Sequence, residues 1–343
     1  MKKQLSLAIL IVLPVLGMRP DPLARKDRPE NQYVNDTFGK IKTGLKSDTL
    51  YLSFGKIVKV GVTCATVAGH IFIGDISEVK SVGVCWSPEK IPTCSDNLIF
   101  SQPGSDNFVY TLKNLKPNQV YLVRSFAVRD RDTVYSKTKA FYTHRQDAVR
   151  DIDSNYYNTV KIGSQIWLAE DIKTSRLNDG SRIVSLERDS AWGFTKKPAW
   201  CWYKNDSMNY SFPRGKLYNW HTVKTGKLCP AGWHVPSNAE WHLLGNYLGG
   251  DSIAGGKLKT TGTIFWRDPN IKASNETGFS AVPGGYRNSS GVFSYSTIFD
   301  TWWSMDTVQY EGADYWYVYH LTGYLYHEMS YKMFGYSVRC LKD

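Results

Sequence analysis

The chain has 343 residues, 42% hydrophobic and 14% aromatic, which is enough apolar material for two domains with cores of their own. This composition excludes disorder beyond the N-terminal region. The formal charge of +11 is spread along the chain and never gathers into a Lys/Arg stripe, so nucleic acid is not an expected partner.

Residues 1–18 read as a secretory signal. Lys2 and Lys3 precede the apolar run Leu5–Leu16, and the small Gly17 follows. The run is short for a membrane span, so cleavage near Gly17 is expected; an uncleaved segment would be the chain's one contact with a membrane. Position 18 is Met, where a lipoprotein would need Cys. The expected location is therefore outside the cytoplasm: cell surface, periplasm or extracellular space. Residues 19–47 are polar, carry Pro20, Pro22 and Pro29, and read as a linker.

Residues 48–145 alternate in short stretches. Val58, Val60, Val62 and Cys64 are expected on one face of a strand, and Val82, Val84 and Trp86 on one face of another. Phe108–Leu112 and Val120–Val128 are further strands. Pro88, Pro92 and Pro117-Asn118 mark turns between them, so the stretch predicts an all-β sandwich. Cys64 is expected as a buried thiol. Cys85 and Cys94 either bridge a strand to its loop or pack as thiols. No catalytic constellation is visible. Leu115-Lys116-Pro117-Asn118 followed by Tyr121 resembles the tyrosine corner of fibronectin type III and immunoglobulin-like sandwiches, in which the phenol bonds a nearby backbone group.

The charged stretch His144–Asn155 separates this region from residues 146–343. Asn158–Ile162 and Ser164–Ala169 predict a hairpin across Gly163-Ser164. Trp200–Tyr203 and Leu217–Trp220 predict short aromatic strands. The second region centres on Leu228–Gly250. Ser237 is the expected N-cap, Glu240 completes a capping box, and Val235 is placed to pack on Trp241. Trp241, Leu244 and Leu248 share one helix face, and Gly249-Gly250 ends the helix. Gly255-Gly256, Thr260–Thr263, Pro269-Asn270 and Ser274-Asn275 read as turns or loops. Thr301–Met305, Tyr315–Leu321, Tyr324–His327 and Tyr336–Leu341 are the expected closing strands.

These blocks resemble the Fibrobacter succinogenes major paralogous domain, common in exported proteins of Bacteroidetes and Fibrobacteres. The matching segments are Val160–Thr174 (VKIGSQIWLAEDIKT), Asn178-Asp179-Gly180, Cys201-Trp202-Tyr203, Gly215–Trp220 (GKLYNW), Leu228–Gly250, Gly255–Lys259 (GGKLK), Asn275–Arg287 (NETGFSAVPGGYR), Trp302-Trp303-Ser304 and Gly335–Cys340 (GYSVRC). Asp171-Ile172 departs from the usual Asn-Leu. The order of elements is also similar to the formylglycine-generating enzyme and C-type-lectin-like folds, which implies an α+β second domain. Fold does not fix function there, since the scaffold hosts binding proteins and enzymes.

No catalytic or metal-binding residue is expected. The seven His are scattered, and no HExxH, CxxC, nucleophile elbow or phosphate loop occurs. Cys340 stands alone where enzymes of the related fold need reactive cysteines. No cofactor is expected; a calcium site drawing on Asn275, Glu276, Asp268, Asn270 and Asp306 is the alternative, without a complete cage. A disulfide is expected between Cys229 and Cys340, with Cys201 as the competing partner.

The ligand-binding residues expected are Asn275, Glu276, Arg287, Trp302 and Trp303, with Gly284-Gly285 allowing close backbone approach. Trp302 and Trp303 are adjacent on a strand, so one is expected in the core and the other on a surface. The competing reading makes the rings core and the polar groups loop ties. The function that follows is an exported binding protein recognising a glycan, polymer or surface protein. The alternatives are an oxidoreductase or hydrolase on the same scaffold, or a structural part of a surface assembly.

Overall fold

The computed structural model describes residues 51–72, 79–101, 107–130, 132–308 and 312–343. The expected signal and linker, 1–47, lie outside them.

The first region is a β-sandwich. Strands β1 (Tyr51–Val60), β2 (Ala65–Phe72) and β5 (Asn107–Leu112) form one sheet, in the order β1-β2-β5. Strands β3 (Val79–Ser87), β4 (Asn97–Ser101), β6 (Val120–Arg129) and β7 (Thr133–Tyr135) form the other, in the order β4-β3-β6-β7, and β8 (Lys139–Tyr142) also pairs with β6. All these pairings are antiparallel. Val67 and Leu112 from one sheet and Val84, Val123 and Phe141 from the other share a core. The tyrosine corner forms: the Lys116 amide donates to the Tyr121 hydroxyl at 2.9 Å, and the Tyr121 ring stacks on Phe141.

The simple alternation expected over Lys56–Cys64 does not hold. Register shifts between Phe54 and Lys56, and again between Ile57 and Lys59, make Phe54, Ile57 and Val60 the buried set. Each extra residue in one strand of a pair turns the following side chains to the other face. Val58 is left exposed, and Cys64 falls in the turn after β1, an exposed thiol instead of a core one. Cys85 and Cys94 are unbridged.

The second region carries the expected hairpin, β9 (Thr159–Ile162) and β10 (Gln165–Leu168). The last strand, β15 (Leu341–Lys342), lies between β10 and β11 (Trp233–His234), so the end of the chain pairs with the domain's first hairpin. The Cys229–Cys340 disulfide closes beside it, with Cα atoms 6.0 Å apart. Of the strand expected over Tyr336–Leu341, only the end joins a sheet; Tyr336 and Ser337 make isolated bridges to Tyr218 and Trp302.

Helix α1 (Asn238–Tyr247) carries both halves of its capping box, with the Ser237 amide donating to Glu240 Oε2 at 2.8 Å. Trp241, Leu244 and Leu248 are buried as expected, while Val235 packs in a different cluster from Trp241. Gly255-Gly256, expected as a turn, lies inside helix α2 (Asp251–Leu258). The two glycines are there for close approach: a Cβ on Gly255 would run into the Tyr324 carbonyl, and one on Gly256 would sit 2.5 Å from the Lys272 oxygen.

Strands β12 (Phe299–Thr307), β13 (Gly312–Tyr319) and β14 (Leu325–Tyr331) form an antiparallel sheet. One face packs on the helices, where Trp241 stacks on Trp302 and Trp316 with ring centroids 5.5 and 5.9 Å away. On the other face Trp303 packs against Tyr336. Trp302 and Trp303 do point to opposite faces, but Tyr336 covers the second face at Trp303 and both indoles are fully buried. Neither lines a surface, because the chain returning to β15 lies over the second face.

Candidate binding surface

The five expected ligand residues do not converge. Asn275 adopts φ 49° and closes a turn: its Oδ1 accepts from the Ser280 amide at 2.9 Å, and its Nδ2 donates to Ser280 Oγ. Glu276 is exposed and pairs with Lys257 of α2 at 3.0 Å. Arg287 is fully buried. Its guanidinium donates to the carbonyls of Leu186, Glu187 and Gly291 and to Asp189 Oδ1, between the rings of Trp192 and Phe293. Trp302 donates to Asp171 and Trp303 to the Tyr218 carbonyl. Arg287, Trp302 and Trp303 therefore hold loops together and have no surface to offer; of the five, only Glu276 is exposed.

A different aromatic surface emerges from the pleat of β13. Tyr315, Tyr317 and Tyr319 alternate with buried Trp316 and Val318, so three phenols share the face away from the helices. Their cross-strand neighbours extend the row. Tyr317 stacks on Tyr326 at 4.8 Å with the ring planes 11° apart. Tyr315 stacks on Tyr317 and Tyr324 on Tyr326, each at 5.6 Å. Tyr319 stacks on Phe299 at 4.8 Å. Tyr317, Tyr319 and Tyr326 are half-buried, and Tyr324 is exposed. The result is a band of nearly parallel rings.

Glu328 organises one end of the band. Its exposed carboxylate accepts from the Tyr315 hydroxyl at 3.1 Å and from the Tyr317 hydroxyl at 3.2 Å. Burial, with the neighbouring Tyr336 and Glu328, holds the Tyr315 phenol far above its ordinary range. Burial also raises Tyr319. Tyr315 and Tyr319 accordingly stay protonated. Hydroxyls and a carboxylate beside a row of rings can bond the hydroxyl groups of a polyhydroxylated chain. The signal was legible in Tyr315-Trp316-Tyr317-Val318-Tyr319, where strict period-two alternation separates the outward phenols from the inward indole.

The helix-side edge of the same sheet carries His327, which stacks on Trp316 at 4.5 Å and pairs with Asp314 at 3.3 Å. Among the described residues no group of three or more His, Cys, Asp or Glu side chains is placed to hold a metal ion.

Between the two regions lies a buried polar seam. Tyr142 donates to Glu170 Oε1 at 2.9 Å, and the Asn158 amide donates to Oε2 at 2.8 Å. His144 is buried beside Glu170, 3.7 Å from the same Oε1. Burial, with the Lys173 charge, pushes its imidazole down to about 4, so it is neutral at pH 7.

Part of the chain is matched by solved structures. The sensor domain of the anti-sigma factor RsgI4 from Pseudobacteroides cellulosolvens is 13% identical, with 28% of this chain and 95% of that chain covered and a TM-score of 0.23. The fibronectin type III domain of human fibronectin type III domain containing protein 3 is 18% identical, covering 30% and 94% at a TM-score of 0.23. The fn3 domain of human collagen alpha-1(XX) chain is 17% identical, covering 30% and 94% at 0.22. No curated protein matches. The Fibrobacter succinogenes major domain matches residues 160–342, more than half of the chain, and the chain belongs to that family.

Proposed function

We propose that this is an exported, non-catalytic binding protein whose tyrosine-lined sheet face recognises a glycan chain. The observation that carries the reading is the band Tyr315–Tyr317–Tyr326–Tyr324, stacked ring on ring with Glu328 bonded to two of its hydroxyls. Aromatic residues on a rigid strand present large contact area at little conformational cost, and tyrosine is enriched among residues that dominate binding energy. The sandwich would act as a spacer and the second region as a lectin-like α+β domain. Its first hairpin paired to its last strand, and its helices packed on one face of a sheet, support that class.

A glycan array probed with the purified chain tests the reading, with the Tyr317→Ala/Tyr326→Ala double variant as control. The expected result is binding to a restricted set of glycans that weakens about tenfold or more in the variant while the melting temperature holds. Binding that survives removal of both rings would place recognition elsewhere. Absence of glycan binding, with a protein captured on the same face, would convert the reading to a protein-binding surface.

A further inference from the structure

The seam between the two regions opens into a cleft that the tyrosine face does not use. Its inner part is about 310 Å³ and is walled by Val120, Phe141, Phe212, Phe265 and Val282. A second, outer volume of about 440 Å³ shares Ala140, Phe212, Pro213 and Phe265 with it. Together they reach the size of small-molecule sites, which favour the interfaces between domains.

The charges are arranged in two tiers. Glu170 and Asp171 form the floor with Arg339 and are already satisfied. Glu170 accepts from Tyr142 and the Asn158 amide, and Asp171 accepts from Arg339 and Trp302. The outer volume is lined by three cations, Lys56, Lys139 and Arg214, and by no acid. Lys56 reaches Ser207 Oγ at 3.4 Å, Lys139 the Gly55 carbonyl at 2.9 Å and the Phe54 ring, and Arg214 the carbonyls of Pro283 and Ser296 and the Tyr210 ring. Among the described residues none of the three forms an ion pair with a carboxylate.

We propose that this cleft binds a small amphipathic anion, an aromatic carboxylate or sulfonate, with its ring between Phe212 and Phe265 and its charge at Lys56 and Lys139. Apolar walls reward burial of the ring. The mouth cations supply charge-assisted hydrogen bonds without first breaking an ion pair. An anion driven to the floor would meet Glu170 and Asp171, so the charge end faces outward. A neutral apolar ligand would leave the mouth unused, and a cation would be repelled by it.

The test is a fluorescence titration of the full chain with 8-anilinonaphthalene-1-sulfonate, under conditions where melting shows a folded protein. Saturable binding of one probe per chain, weakening with salt, is expected. Ala140 is exposed and lines both volumes, so Ala140→Trp fills the cleft from its rim. This variant, and separately Lys56→Ala/Lys139→Ala, should each weaken binding about tenfold or more, which is about 1.4 kcal/mol. The Tyr317→Ala/Tyr326→Ala chain should bind the probe as the parent does, which separates this site from the glycan face. Non-saturable binding, an affinity unchanged by the lysine pair, or loss of binding only in the tyrosine variant overturns the proposal. If Ala140→Trp does not fold, the lysine pair decides alone.

Discussion

Arg339 Nε donates to Asp171 Oδ1 across 2.8 Å, and both side chains are almost completely buried. The same guanidinium donates to the carbonyls of Leu168 and Phe279 and lies over the Phe279 ring at 4.1 Å. One side chain therefore ties the β9–β10 hairpin, a loop and the segment that leads into the last strand. Removing one partner of such a pair leaves the other charge buried alone, so Arg339→Ala should lose about 3–5 kcal/mol. Asp171→Asn should cost less, about 2–3 kcal/mol: the guanidinium loses its counter-charge, but an amide oxygen still accepts from Arg339 and Trp302. It also removes a negative charge which, after burial, helps push the Asp300 carboxyl well above the usual carboxylate range. Urea unfolding of both variants checks the order; equal losses would refute it.

The Cys229–Cys340 bridge spans 111 residues and joins the turn before β11 to the residue preceding β15. In the chain-entropy model a loop of that size stabilises by about 4–5 kcal/mol. Replacing both cysteines with serine should lower the melting temperature, and peptide mapping without reductant should recover the joined pair. Denatured, unreduced protein should titrate as four thiols, Cys64, Cys85, Cys94 and Cys201, with Cys64 alone exposed in the native state. A Cys201–Cys229 peptide would contradict this pairing.

Several local rules were readable in the sequence. The capping box at Ser237, the tyrosine corner at Tyr121 and the hairpin across Gly163 depend on neighbouring residues, and each formed. The failures came where distant chain decides. Irregular pairing along β1 moved Val58 outward, and no pattern in one strand announces its partner's register. Arg287 looked like a ligand-orienting charge, yet its partners Leu186, Glu187 and Asp189 lie about a hundred positions upstream. The indoles and phenols of the last third formed a single compositional cluster in the sequence. The pleat of β13, with the helices on one side, sorts them into buried Trp316 and half-exposed Tyr315, Tyr317 and Tyr319.

His144 predicts an acid-side stability loss. Its folded value, about 4, lies below the ordinary 6.5, so the unfolded chain binds more protons between the two. Stability should therefore fall as pH drops from 6.5 toward 4, by up to about 3 kcal/mol from this group. His144→Gln should flatten the slope in that window, measured by denaturant unfolding at stepped pH. His234 works in the opposite sense. Burial opposes its protonation, but hydrogen bonds to Asp343 and Glu240 outweigh it and raise its value. Its contribution is present below the ordinary value and is lost as pH rises through the raised one. A His234→Gln chain should lose stability at pH 6 and little at pH 9.

Gly255 sets a helix preference against a contact. It sits within α2, where alanine is normally favoured over glycine by about 1 kcal/mol. A Cβ there would be driven into the Tyr324 carbonyl and crowd the Leu325 amide at 2.9 Å, both of them backbone. Backbone cannot rotate aside as a side chain can, so α2 would have to lift away from β14. That movement would open the core at Leu258, Trp316 and Leu325, which pack together beneath the helix. Overpacking of this kind costs about 1–3 kcal/mol and occasionally more, which exceeds the helix gain. Gly255→Ala should therefore destabilise by about 2 kcal/mol or more. Ser252→Ala, on the exposed side of the same helix, should be neutral or slightly stabilising. Thermal melts of the two chains side by side give the answer. If Gly255→Ala melts at or above the parent, the close approach of α2 to the β13–β14 turn is not the reason that glycine stands there.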